Sequence, residues 1–170
     1  QRIRPRGSAD PFQEEGLTGA AMRIGLDVMG GDLAPACAID GAVLALESLR
    51  EGDELHLVGD AATIESGLAE RGVSDARLFI HPTTEVIGMA DAPVETVRAR
   101  PDSSINVMAE LGSRRRSAQR GLEAPLDAVL SAGNTGACVT AAQMHMRRLS
   151  GVLRPGIAVT VPTFNGPVVV

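Results

Sequence analysis

The spacing of apolar positions changes several times along the chain, and each change marks an element. Arg23 to Val28 (RIGLDV) reads as a short strand, and the turn-rich Met29-Gly30-Gly31-Asp32 follows it. Ile39, Ala42, Val43, Leu46 and Leu49 then recur at three- and four-residue steps, the buried stripe of an amphipathic helix. Glu54 to Val58 (ELHLV) is the next strand. Asp60 is placed to cap a second helix that carries Ile64 and Leu68 and ends at Gly72. Arg77 to His81 (RLFIH) is a third strand, followed through Pro93 by a Pro- and Gly-punctuated segment that reads as a functional loop or a short helix.

Ser103 or Ser104 can cap a helix through Val107, Met108 and Leu111 towards Arg114 to Arg120, where cations suit the negative helix pole. Ala128 to Leu130 is a fourth strand. It runs through Ser131-Ala132-Gly133-Asn134-Thr135-Gly136 into a helix with Val139, Ala142, Gln143 and Met146. Alternating strands and helices predict an α/β fold: a mainly parallel sheet with helices on both faces, an α/β/α sandwich. Ile157 to Val161 reads as a strand, Asn165-Gly166-Pro167 as a turn, and Val168 to Val170 as the opening of another strand. Residues 1–21 mix Pro, Gly, Ser and charge without period and read as a flexible leader before Met22. The expectation is a leader followed, over 22–170, by the N-terminal portion of a longer, truncated α/β domain.

Composition narrows the chemistry. All 16 basic residues among the 170 are Arg, with no Lys, Trp or Tyr and only 3 Phe. Without Lys there is no Schiff-base amine and no Walker lysine. Few rings and a net charge of -5 argue against nucleic acid. Cys37 and Cys138 stand in apolar helical segments without CxxC spacing and read as buried reduced thiols. His56, His81 and His145 have no ligand-spaced partners, so no metal site is expected. No apolar run approaches the ~18 residues of a membrane span, and the expected compartment is the cytoplasm.

Ligands of parallel sheets bind beyond the carboxyl ends of the strands, which makes two strand-to-helix turns the candidate site. In one, Asp27 and Asp32 bracket Gly30 and Gly31, where backbone can approach a ligand closely. In the other, Ser131, Gly133, Asn134, Thr135 and Gly136 offer hydroxyls, an amide and N–H groups at a helix N-terminus suited to phosphate. A tight turn and an ordinary helix cap would use the same residues, so the pattern leaves both readings open. Arg98 and Arg100 precede Ser103 and Ser104 and could clamp an oxyanion, or form a solvated basic loop. Arg114, Arg115, Arg116 and Arg120 read as a solvated face.

Taken in order, these motifs resemble one family, the bacterial phosphate acyltransferases that act on acyl-ACP. The marks are Asp27-Val28-Met29-Gly30-Gly31-Asp32 with Ala34-Pro35, Leu57-Val58-Gly59-Asp60, Glu85-Val86-Ile87-Gly88-Met89 with Asp91 and Pro93, Arg98 through Ser104, and Ser131 through Ala137. Arg154-Pro155 and Pro162-Thr163 continue them. The resemblance implies a fold similar to phosphotransacetylases and isocitrate-type dehydrogenases, in chains about twice this length. It implies reversible acyl transfer from acyl carrier protein to inorganic phosphate for phospholipid synthesis, without a cofactor. It also implies a homodimer that associates peripherally with the membrane and supplies a membrane glycerol-phosphate acyltransferase. One departure is visible: where the family carries Lys before Asp-Ser-Ser, this chain has Arg98, Arg100 and Pro101, which keeps anion affinity and loses the amine.

Phosphate can itself attack a thioester carbonyl, so positioning and charge stabilisation suffice. On this reading Ser131, Asn134, Thr135 and Gly136 hold phosphate or the oxyanion, and Arg100, Ser103 and Ser104 make a second anion contact. Asp27 and Asp32 orient donors or accept a proton, and His81 is a candidate acid for the leaving thiol. Two other readings stay open: a nucleotide-dependent oxidoreductase on a related fold, disfavoured by the missing GxGxxG, and a non-catalytic phosphate- or acyl-binding module.

Overall fold

A computed structural model describes residues 20–153, 156–163 and 166–169. Four parallel strands, β1 (Arg23–Asp27), β2 (Glu54–Gly59), β3 (Leu78–Pro82) and β4 (Ala128–Leu130), form one sheet in the order β3-β2-β1-β4. The register sets Asp27 beside Val58, and Val58 beside His81. The expected parallel α/β architecture is therefore present.

Period-two alternation sends alternate side chains of β2 to different cores. Leu55 and Leu57 of β2 face α1 (Ala36–Ala45) and α2 (Ala61–Glu70), where they pack with Ile39, Ala42, Ile64 and Leu68. Val58 faces the other way, into a core with Val107, Met108 and Leu111 of the helix Ser104–Leu111. That helix is α4, because a short helix α3 (Pro93–Ala99) precedes it, and both pack on α5 (Thr135–His145) around Ile87, Val97, Ile105 and Ala137. Helices thus cover both faces of the sheet. Asp60 caps α2, its carboxylate accepting from Thr63 N at 2.8 Å.

Several expectations shift. The helix after Ser103 ends at Leu111 and does not reach the arginines; Ser113 Oγ donates to the His145 carbonyl at 2.7 Å and turns the chain away. Arg116 and Arg120 are not simply solvated, since both donate to the Glu110 carboxylate at 2.7 Å. Cys37 is exposed, because α1 turns it away from the core, and Cys138 is half-buried; both are free thiols. The final hairpin pairs β5 (Thr160–Thr163) with β6 (Gly166–Val169) in antiparallel register, so Gly166 and Pro167 are strand residues rather than turn residues. Residues 1–19, Arg154, Pro155, Asn165 and Val170, to which other expectations apply, lie outside the described residues.

Candidate functional site

The two glycine turns meet at the carboxyl edge of β1 and β4, which pair in the sheet. Asp27 is 1% exposed, and such a carboxylate needs partners. Its Oδ2 accepts from Ser131 Oγ at 2.7 Å and its Oδ1 from Met29 N at 3.0 Å. Ser131 Oγ in turn accepts from Gly133 N at 3.0 Å. Gly30 is confined by this knot: a Cβ there would stand 2.4 Å from Asp27 Oδ2 and 2.8 Å from Gly133 N. Gly31 has φ +111°, a conformation that only glycine adopts without strain.

Asn134 caps α5, its Oδ1 accepting from Ala137 N at 3.0 Å. Its Nδ2 donates to the carbonyls of Gly88, Met89 and Asp91 at 3.1–3.2 Å. Both ends of this amide are engaged within the protein, fastening the 88–91 loop to the start of α5. Arg100 grips the same loop: one Nη donates to the Val86 carbonyl at 2.6 Å and to Asp91 Oδ2 at 2.8 Å. Asp91 escaped sequence reasoning as a site residue, although it stands in a run already marked by resemblance.

Thr135, the first residue of α5, is exposed, and the first-turn N–H groups of Thr135 and Gly136 have no carbonyl one turn back within the helix. Gly136 is needed for packing, since a Cβ would lie 2.6 Å from Pro93 Cγ, at the start of α3. Ser103 sits at the N-cap of α4 but makes no capping bond; its Oγ is fully buried without a hydrogen-bond partner. Ser104 is also buried, with its N–H on the Glu85 carbonyl at 3.3 Å. Asp32 is exposed and lines a groove that opens beside Gly30. Cys138 Sγ lies beside Ser131 near Asp27, and burial pushes its thiol above the ordinary value.

His81 is not brought to this knot. It lies two strands from Asp27, about 10 Å across the sheet, with Val58 between them. Its Nε2 is 2.8 Å from His56 Nδ1, and His56 Nε2 is 3.0 Å from Glu54 Oε2. Burial, with His56 as a second cause, holds His81 down to about 4, leaving it neutral near pH 7. Burial also lowers His56, against the opposing pull of Glu54. Among the described residues, no group of three or more His, Cys, Asp or Glu side chains is arranged to hold a metal ion, and no helix is long and apolar enough to cross a membrane.

The family model described as fatty acid synthesis protein matches residues 22–170. The chain belongs to this family. Its members similar to the chain include the phosphate acyltransferases of Geobacter sulfurreducens, 39% identical over 149 residues, and Bacillus subtilis, 42% identical over 147 residues. These alignments cover 88% and 85% of the chain and 40% of each relative. The phosphate acyltransferase of Fusobacterium nucleatum is 41% identical over 141 residues, covering 83% of the chain and 40% of the relative. The chain thus spans about 40% of the length of the family members it matches. Both glycine turns and the loop clamped by Asn134 and Arg100 fall within the family match.

Proposed function

We propose that the chain carries the phosphate-handling part of an acyl-transfer site, in which a fatty acyl group passes reversibly from an acyl carrier protein thioester to inorganic phosphate. A phosphate oxygen attacks the carbonyl carbon, the C–S bond breaks, and the carrier leaves as a thiol after taking up a proton. The products are an acyl phosphate for phospholipid synthesis and the free carrier. No protein nucleophile or cofactor is required.

The observation that best supports this reading is the Asp27–Ser131 hydrogen bond, which joins the two glycine turns beside the open first turn of α5. The names of the relatives point the same way. In this proposal the N–H groups of Thr135 and Gly136, with the Thr135 hydroxyl, hold phosphate or the oxyanion in the field of the helix N-terminus. Gly30 and Gly31 let backbone approach it. Asp32, exposed at the turn, accepts the proton of the attacking phosphate. Asp27, Ser131 and Gly133 are positioning residues, and Asn134 and Arg100 position the 88–91 loop. Ser103 and Ser104, expected as a second anion contact, are buried at the start of α4 and take no part in anion binding in this proposal. The protein works as a cytoplasmic homodimer at the membrane periphery and supplies a membrane glycerol-phosphate acyltransferase.

The test is thiol release from an acyl carrier thioester with and without inorganic phosphate, with acyl phosphate trapped as the hydroxamate. Release that requires phosphate and falls in Asp32→Asn and Thr135→Val is expected. Phosphate binding by phosphorus NMR without turnover would instead favour the non-catalytic module.

A further inference from the structure

The buried residues of α4 are apolar from Ile105 to Leu111 except at Asn106, which is 1% exposed. An amide buried so deeply is costly unless its hydrogen bonds are made. Its Nδ2 donates to the Val97 carbonyl and to the Arg100 carbonyl, both at 2.8 Å. The sequence explains the first of these bonds. In a continuing helix the Val97 carbonyl would accept from the N–H of residue 101, but that residue is Pro101 and has none. Asn106 supplies the missing donor at the end of α3, where Arg100 leaves helical geometry with ψ 73°.

The third bond fixes the orientation of the amide. Its Oδ1 lies 3.0 Å from Nε2 of His145, the last residue of α5. With both Nδ2 protons committed to carbonyls, only Oδ1 is left to face the ring, so His145 donates from Nε2. His145 Nδ1 makes no hydrogen bond and stands 3.5 Å from Glu110 Oε1, which Arg116 engages at 2.7 Å. Burial, the leading cause, lowers the value of this ring, which is therefore neutral near pH 7 with its one proton on Nε2.

Both ends of α3 bear on the candidate site. Pro93 packs on Gly136 in the first turn of α5. At the other end the Arg100 guanidinium holds the Val86 carbonyl and Asp91, in the loop that Asn134 also grips. The seven residues of α3 span only about 10 Å, so a shift of its anchored end is passed along the whole helix.

We infer that Asn106 is a positioning residue for the phosphate site, anchoring the end of α3 and, through it, Arg100 and the 88–91 loop beside the first turn of α5. The inference rests on the acyl-transfer reading above. Asn106 itself touches no reacting atom.

Asn106→Leu keeps the volume and removes all three bonds. In the thiol-release assay it is expected to lower kcat/KM for phosphate by about ten-fold, while KM for the acyl carrier stays within about two-fold of the parent. Amide exchange at Gly88, whose N–H donates to Asp91 Oδ2 at 2.9 Å, is expected to quicken although Asn106 bonds to neither residue. A double-mutant cycle with Arg100→Met is expected to give a combined loss well short of the product of the single losses, because both substitutions act on one loop. Nitrogen NMR of the parent is expected to show His145 as the Nε2–H tautomer. A lower melting temperature with unchanged kcat/KM for phosphate would reduce Asn106 to a brace and overturn the inference. Fully multiplying losses in the cycle, or an Nδ1–H tautomer, would also overturn it. Should Asn106→Leu not fold, Asn106→Ser, whose hydroxyl can serve one of the two carbonyls, goes through the same cycle. A parent without phosphate-dependent thiol release would remove the acyl-transfer reading alone. Phosphate affinity from phosphorus NMR of the same variants then decides the role of Asn106, a loss of about ten-fold sustaining it and no loss overturning it.

Discussion

Ser131 Oγ donates to Asp27 Oδ2 at 2.7 Å across 104 positions of sequence, and this bond fixes the two glycine turns to each other. It also determines what each group has left to offer. The Ser131 proton is committed to Asp27, and one lone pair is committed to Gly133 N. Chemistry at the edge of the sheet therefore falls to the neighbouring N–H groups, while the buried pair sets their geometry.

Replacing Ser131 with Ala strips Asp27 of its side-chain donor and Gly133 N of its acceptor. A loss of about 1–3 kcal/mol is expected, read as a lower urea midpoint with an unchanged slope. Ser131→Thr, which keeps the hydroxyl, is expected to recover part of it.

Two glycines should respond in opposite directions to the same methyl group. Gly30→Ala places a Cβ against the Asp27 carboxylate and is expected to cost about 1–3 kcal/mol and abolish turnover. Gly41→Ala meets nothing and removes backbone freedom from the unfolded chain, so a gain of about 0.5–1 kcal/mol is expected. Thermal denaturation of the two variants side by side decides this.

Asn134→Ala removes the cap of α5 and the donor shared by three loop carbonyls. About 1–2 kcal/mol of stability should be lost. Faster hydrogen exchange at Gly88 and Asp91 distinguishes release of the loop from fraying of the helix alone. Asn134→Asp retains the cap acceptor but turns a carboxylate towards those carbonyls, and the same loop is expected to open.

The His56–His81 pair makes stability depend on pH. Both rings have lowered values in the folded protein, His81 at about 4 against an ordinary 6.5. The unfolded chain therefore binds protons more readily, and the contribution is fully present above about pH 6.5 and lost as pH falls towards 4. Glu54 opposes this at His56, and Arg23 reinforces it. The melting temperature is expected to fall between pH 7 and pH 5 in the parent and to fall less in His81→Phe, whose ring can still stack against His56. Asp53 and Asp75, both held at about 2 chiefly by hydrogen bonds, lose their contributions only at lower pH, which keeps the windows separate.

Much of the fold was legible along the chain because strand and helix periods are local properties. ELHLV read as a strand from its composition alone, and the strand period then puts Leu55 and Leu57 on one face of β2 and His56 and Val58 on the other. Asp60 capped a helix as its position predicted, since an N-cap bond spans only three residues. The glycine pair and the Ser131–Gly136 turn were likewise marked by their place after strands.

Tertiary structure decided which groups those residues actually meet. Strand order is set by pairing between distant segments, and that pairing put β4 beside β1 and gave Asp27 its partner. The amide of Asn134 looks like a ligand contact in sequence, but the loop folded over it takes its donors. His81 ends a strand as expected, yet the β2–β3 register joins it to His56 and away from the glycine turns. Sequence by itself determined the alternating α/β layout and the glycine-lined, lysine-free edge, because backbone freedom and side-chain chemistry belong to each residue. Which hydroxyls and N–H groups remain available there was decided only by the fold, because hydrogen-bond capacity is consumed by neighbours that lie far away in the chain.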